Sequence, residues 1–385
     1  MKTQIVLTAM LLTARTLALV KRTVLMAPLT LLVVCALGPM AWGESLFVVA
    51  QHSNTVAVID SSTDQITTQI QVGANPIRIC VSPDRSKAYV SNQGSDSVSV
   101  IDTVTLRVTA TIPVGSDPQE NAVTPDGTRL FVVHQSTAGV TVIDTTTNLV
   151  IASIPIGGNL AKDVLFSRNG RYAYIANYSE GTVNVIDTTV LTPPYRVKTI
   201  STGAGSRRLA LSPAGDRVFV TNYLDNSVSV IDTRTKTLIA TIPVGINPRG
   251  IAITPSGDAI YVTNVHDGTV SVIDSATLTV TNTITVGASP WQILITKDGT
   301  RTFVSNSGSG TVSVIGTATP QQVIQTLPTD AGPFFSVINP EQNKLYVSDS
   351  LSTTVMVFDI SSMTALELAE IPNVGSSPFD LVFGL

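Results

Sequence analysis

Residues Phe219–Gly245 read FVTNYLDNSVSVIDTRTKTLIATIPVG. Three short runs rich in Val, Ile, Thr and aromatics are separated by polar turns, a composition that suits pleated strands and not helix. The pattern returns along the chain. The aspartate that ends the Val-Ile-Asp run falls at Asp60, Asp102, Asp144, Asp187, Asp232, Asp274 and Asp359, with Gly316 standing in once. Ten or eleven residues earlier lies a second comb: Ala50, Asn92, His134, Asn177, Asn222, Asn264, Asn306 and Asp349. A third is the Val-Gly or Thr-Gly step at Gly73, Gly115, Gly203, Gly245, Gly287 and Gly375, joined by Gly157 after isoleucine. All three share a spacing of 42 to 45 residues, with few exceptions, and a fixed period of that size marks a repeat architecture.

Each unit holds four strands. In the sixth they are Ile251–Thr254, Ile260–Asn264, Thr269–Asp274 and Val280–Val286. Turn chemistry separates them: in Pro125-Asp126-Gly127 proline presets φ, aspartate bonds its own backbone and glycine accepts positive φ. Four-stranded units of this length predict an all-β chain, a β-propeller of antiparallel blades. The first unit, from Leu46, has only the second, third and fourth strands, while Pro378–Leu385 is a lone first strand. Paired, they make one blade from both termini and leave no open edge. Second strands begin near Phe47, Tyr89, Phe131, Tyr174, Phe219, Tyr261, Phe303 and Tyr346, so the ring is expected to have eight blades, with seven as the alternative. The fourth unit carries a three-residue insertion at Thr192-Pro193-Pro194-Tyr195, and the seventh is degraded at Gly316 and Ala318-Thr319-Pro320.

Residues 1–43 are different. Their charges are Lys2, Arg15, Lys21 and Arg22, and Val24–Trp42 is apolar apart from Thr30. Small residues before Glu44 suit cleavage, so the segment is read as a signal peptide, and 44–385 as one propeller domain. An uncleaved anchor is the alternative, because the run approaches spanning length; with cleavage no stable membrane span remains. Losing four basic residues takes the net charge from −4 to −8. That argues against nucleic-acid partners. It also leaves Cys80 as the only cysteine, a thiol without an intrachain partner, expected to fill a core. Charged residues are 13% of the chain, and the abundant Ser and Thr are expected to cover exposed strands.

Tyr89-Val90-Ser91-Asn92, Phe219-Val220-Thr221-Asn222 and Tyr261-Val262-Thr263-Asn264 resemble the signature of the YVTN-repeat β-propellers. So do Ser97–Thr103, Ser227–Thr233, Ile112–Gly115 and Ile242–Gly245, and the resemblance spans nearly all of Leu46–Leu385. It implies an exported propeller, similar to periplasmic and surface-layer proteins. It transfers no catalytic set, and the family's members are commonly seven-bladed.

Propeller ligands usually meet the mouth of the central channel, where the innermost strands enter. The residues that enter there are Ile77-Arg78, Gln119-Glu120, Ala161-Lys162, Arg207-Arg208, Arg249-Gly250, Trp291-Gln292, Phe334-Phe335 and Phe379-Asp380. Arg78, Lys162, Arg207, Arg208 and Arg249 thus gather in an otherwise acidic protein, which predicts a mouth for an anionic ligand or an acidic partner surface. Trp291, Phe334 and Phe379 are expected to form an aromatic wall. The opposing expectation is that the bases pair with Glu120, Asp163 and Asp380 and pin blades together. His52 and His266 fall three units apart, too far to share a metal, and are read as exposed loop residues. Metal, haem-attachment, phosphate-loop and nucleophile-elbow patterns are missing, so no cofactor and no catalytic residue is expected. The leading expectation is an exported, non-catalytic binding or scaffold propeller with an envelope or surface protein or an anionic ligand as partner. A lactonase-like hydrolase and an accessory subunit of an exported oxidoreductase are the alternatives.

Overall fold

Thirty-two strands, β1 to β32 in chain order, fill the computed structural model, which describes residues 44–137 and 139–384. The expected leader lies outside the described residues. The strands sort into eight antiparallel four-stranded sheets. The second blade shows the plan: β4 (Pro76–Val81), β5 (Lys87–Asn92), β6 (Ser97–Asp102) and β7 (Arg107–Pro113) pair in chain order, outward from the channel. In the first blade β1 (Ser45–Ala50), β2 (Thr55–Asp60) and β3 (Gln65–Gln71) take β32 (Pro378–Phe383) as their innermost strand. Leu46 lies opposite Phe383 and Val48 opposite Leu381. The ring is therefore eight-bladed and closed by the two ends of the propeller, as the repeat count predicts. Lys344 of the eighth blade fastens the seam with Nζ 2.7 Å from Asp64 of the first, whose other carboxylate oxygen accepts from Tyr346 at 2.6 Å.

The core is divided among the eight blade interfaces. Tyr89, Val98, Val100 and Ile112 of the second blade pack on Leu130, Val132 and Ile143 of the third. Phe219, Val228, Val230 and Ile242 of the fifth meet Ile260, Val262 and Ile273 of the sixth. Each blade's middle strands are consequently buried on both faces, and only the outermost strand alternates, as in the exposed–buried pattern of Arg107–Pro113. Alternation thus holds only at the rim, because every middle strand faces a neighbour on each side. Cys80 is half-buried against the second interface core, where burial pushes its thiol up.

The asparagine comb is an internal tie. Asn92 donates through Nδ2 to Ser97 at 3.1 Å and Ser99 at 2.9 Å. Asn222 reaches Ser227 and Ser229, Asn264 reaches Thr269 and Ser271, and Asn306 reaches Thr311 and Ser313 in the same way. Ser99, Ser229, Ser271 and Ser313 are buried. The expectation that hydroxyls replace charges on exposed strands is therefore corrected for the third strand of the second, fifth, sixth and seventh blades: its inward hydroxyls satisfy a buried amide. In the third blade Gly139 lacks the first hydroxyl, and His134 fills the asparagine's place with Nε2 2.8 Å from Thr141 Oγ1. The glycine comb is the other half of the tie. A Cβ on Gly245 meets Asn264 at 2.6 Å, and one on Gly73 meets Asn92 at 2.6 Å. Gly73, Gly203, Gly245 and Gly287 thus let the next blade's asparagine lie against their backbone, while Gly115 faces His134 and Gly375 faces Ala50.

Candidate functional site

All eight innermost strands begin with a β-bulge, for example between Pro76 and Arg78, Pro118 and Asn121, and Ser206 and Leu209. A bulge re-aims the side chains beside it. Here it lets two consecutive residues of one strand face the channel, such as Ile77 and Arg78, Gln119 and Glu120, or Arg207 and Arg208. The strands involved are β4, β8 (Pro118–Val123), β12 (Ala161–Phe166), β16 (Ser206–Leu211), β20 (Pro248–Ile253), β24 (Pro290–Ile295), β28 (Pro333–Ile338) and β32.

The channel holds two cavities. The mouth cavity, about 190 Å³, is lined by Arg78, Glu120, Lys162, Arg207, Arg208, Arg249, Trp291 and Phe379 together with glutamines 51, 93, 119 and 135. An inner chamber of about 380 Å³ shares Arg78, Glu120, Arg208, Arg249 and Trp291 and adds Asp163, Gln292, Phe335 and Asp380. Asp380, predicted at the mouth, therefore faces the inner chamber. Phe334 stands behind the mouth, with its ring 4.6 Å from Trp291 and 5.9 Å from Phe379.

The five cations divide into two groups. Arg78 and Arg208 are pinned: Glu120 Oε2 accepts from Arg78 Nε at 2.8 Å and from Arg208 Nη1 at 2.6 Å, and Asp163 lies 3.5 Å from Arg208. This bridge crosses blades 2, 3 and 5 and forms a waist between the cavities. Burial works to raise the Glu120 carboxyl, but the two guanidiniums outweigh it and hold it below the usual range. For Arg78 and Arg208 the pinning role expected as the opposing reading is what the geometry shows.

Lys162, Arg207 and Arg249 have no carboxylate partner among the described residues. Lys162 Nζ donates to Gln135 Oε1 at 2.6 Å, and burial together with Arg207 pushes its amine down to about 8. Arg207 lies over Tyr223, Trp291 and Tyr178 at 5.2 to 5.9 Å, and burial pushes it down to about 10. Arg249 is 4% exposed, sits 3.0 Å above the Trp291 ring, and leaves its Nε without a partner. Trp291 Nε1 is likewise buried and unpaired. Arg249 is thus a cation held out of water without a counter-ion among the described residues, and Arg207 is a half-buried one. The aromatic wall exists, but the Trp291 face it offers is occupied by Arg249.

Asp163 and Asp380 are clasps between blades. Asp163 accepts from Leu209 N at 2.8 Å and Asp380 from Ile79 N at 3.1 Å. Burial raises both carboxyls to about 6. Gln292 of the seventh blade does the same for Ser336 N of the eighth. Sequence reasoning placed Gln119 at the mouth but missed Gln51, Gln93 and Gln135, although each directly follows a comb position. His52 and His266 are exposed, and among the described residues no group of His, Cys, Asp and Glu is arranged to hold a metal. No helix among the described residues is long and apolar enough to cross a membrane.

Three family profiles match parts of the chain: the YNCE-like beta-propeller over residues 41–164, the cytochrome D1 heme domain over 125–244, and the seven-bladed beta-propeller lactonase over 186–318. No curated protein matches in sequence. Among solved structures, the dihydro-heme d1 dehydrogenase NirN in complex with DHE aligns with a TM-score of 0.74 at 16% identity, covering 88% of this chain and 74% of that one. Kuenenia stuttgartiensis hydrazine synthase aligns at 0.61 and 23% identity over 74% of this chain and 96% of that one. A functionally unknown protein from Desulfotomaculum acetoxidans aligns at 0.62 and 18% over 89% and 99%. These likenesses show the propeller fold, and the three partial profiles are all of propeller families.

Proposed function

We propose that the protein is an exported YVTN-repeat propeller that binds, without turnover, an anionic ligand or an anionic group of an envelope partner at its channel mouth. The observation that carries this is the trio Lys162, Arg207 and Arg249: cations around a cavity, Arg249 buried and the other two half-buried, with no carboxylate against them among the described residues. An incoming anion supplies the missing counter-charge in a place where water screens little. The test uses the purified protein beside Lys162→Gln and Arg207→Gln variants, each checked for native unfolding behaviour. The native protein is expected to titrate with small anions and to capture an envelope partner or ligand that the variants lose. Equal binding by all three refutes the reading.

A lactonase-like hydrolase is the second reading, favoured by the lactonase profile over 186–318 and by the raised carboxyls of Asp163 and Asp380. Their oxygens already accept from neighbouring backbone, which suits clasps better than a general base. Lactone turnover that falls in Asp380→Asn decides in its favour. The cytochrome D1 and NirN likenesses raise a haem in the channel, and the residues do not fit one. Axial histidine is missing from both channel cavities, since His52 and His266 are exposed and His134 is tied to Thr141. The Arg78–Glu120–Arg208 waist also divides the channel into cavities of about 190 and 380 Å³. A haem-bearing role is therefore not proposed for this chain.

A further inference from the structure

The mouth has two unlike sides. Its cations without a carboxylate partner among the described residues come from the fourth, fifth and sixth blades: Lys162 on β12, Arg207 on β16 and Arg249 on β20. Its side-chain amides come from the first three: Gln51 follows β1, Gln93 follows β5, Gln119 lies on β8, and Gln135 follows the second strand of the third blade. The amide side offers both polarities. Gln93 Oε1 already accepts from Asn75 Nδ2 at 2.9 Å and Gln135 Oε1 from Lys162 Nζ at 2.6 Å, which leaves their N–H groups to donate. Gln51 and Gln119 each carry a carbonyl acceptor and an N–H donor, committed to no other side chain among the described residues. Glu120 takes both of its arginines through Oε2, so its Oε1 is a further acceptor on the same wall. A simple anion uses donors alone. It accounts for the cationic side and leaves the acceptors of the other side unused.

We propose that the mouth recognises a carboxylate together with the acylated nitrogen beside it, the group that ends a peptide chain and that free N-acyl amino acids share. This rests on the anion-binding reading above and names its ligand class. The carboxylate goes against Lys162, Arg207 and Arg249, where charge-assisted bonds are strong. The amide goes toward the glutamines, which donate to its C=O and accept from its N–H, with Glu120 Oε1 as a second acceptor. An amide taken out of water needs both partners, because either of its groups left unpaired is costly.

Calorimetric titration of the purified protein at neutral pH uses N-acetylglycine, levulinate, acetyl-triglycine and the C-terminal amide of acetyl-triglycine. Levulinate matches N-acetylglycine atom for atom, except that a methylene replaces the N–H. N-acetylglycine is expected to bind about fivefold or more tightly than levulinate. Acetyl-triglycine is expected to bind about tenfold or more tightly than its amide, which lacks the charge. The Gln51→Leu/Gln119→Leu double variant, checked for native unfolding and backed by Gln119→Leu alone, should shrink the preference for N-acetylglycine over levulinate. Arg207→Gln should weaken both ligands alike, and Lys297→Gln, on an exposed turn, should change neither. Acetyl-triglycine binding more tightly than N-acetylglycine assigns the group to a chain end, and equal affinity assigns it to a free N-acyl amino acid. Levulinate binding as tightly as N-acetylglycine overturns the amide inference and leaves the anion site standing. An amide-capped peptide that binds as tightly as the acid, or no binding of any probe at millimolar concentration, overturns both.

Discussion

The interlock of the glycine and asparagine combs makes a quantitative prediction at Gly245 and Asn264. A Cβ on Gly245 falls 2.6 Å from Asn264 Cγ and Nδ2 and 2.7 Å from Asp267 Oδ2. Asp267 is exposed and can swing aside at the loss of its bond to Ile246 N, but Asn264 is buried and bonded on two sides. Gly245→Ala therefore acts as overpacking, with an expected loss of about 1–3 kcal/mol. Asn264→Ala strips the 2.9 Å bonds to Thr269 and Ser271 and leaves buried hydroxyls, a loss of about 1–3 kcal/mol. In the double variant the new methyl enters the vacated space. Its loss is expected to be smaller than the sum of the two by about 1–2 kcal/mol. Denaturant unfolding of the four proteins, with equal slopes as the check on a common transition, measures this coupling. Additivity to within about 0.5 kcal/mol refutes the claim that the two combs are one contact.

Burial pushes His134 down to about 4, so the native protein is expected to lose stability as pH falls from about 6.5 towards 4, by up to about 3 kcal/mol. His134→Asn restores the comb residue and should flatten that loss in melts at pH 7 and pH 4.5. Asp349 occupies the comb in the eighth blade, and burial raises it to about 7. Its stabilising contribution is full below about pH 4 and lost as pH rises through 7. Asp349→Asn, which keeps an acceptor for Asp330 N, should therefore stabilise the protein at pH 8 by on the order of 2 kcal/mol, and no gain counts against the assignment. Around the two channel cavities, Lys162 at about 8 on the mouth and Asp163 and Asp380 at about 6 on the inner chamber surround Arg78, Arg207, Arg208, Arg249 and Glu120. Anion binding favours the protonated form of all three, so protons should be taken up on binding, and affinity should fall from pH 6 to pH 9. Calorimetry in two buffers of different ionisation heat reads the uptake, and a flat affinity refutes it.

The architecture was legible because each blade solves the same packing problem in sequence. Asp232 ends its strand by accepting from Thr235 N at 2.7 Å and Oγ1 at 2.9 Å, and the same local chemistry recurs at Asp102, Asp144 and Asp274. Such contacts span a few residues, so their period shows directly in the chain. Burial was less legible: nothing within the Ser227–Asp232 run says that a second blade covers its other face.

The mouth residues were legible only as a set. Their common place after each inner-strand entry is a matter of sequence register, and that register put Arg78, Glu120, Lys162, Arg207, Arg208, Arg249 and Trp291 at one cavity. Which of them are neutralised was not. Glu120 takes Arg78 from 42 residues away and Arg208 from 88, across the channel and not along a strand. The repeat and the closing strand could be read from the chain alone, and eight blades were favoured over seven, because those follow from local, periodic interactions. That Arg78 and Arg208 are tied while Lys162, Arg207 and Arg249 are not emerges in the folded ring, because pairing across it depends on distance between blades.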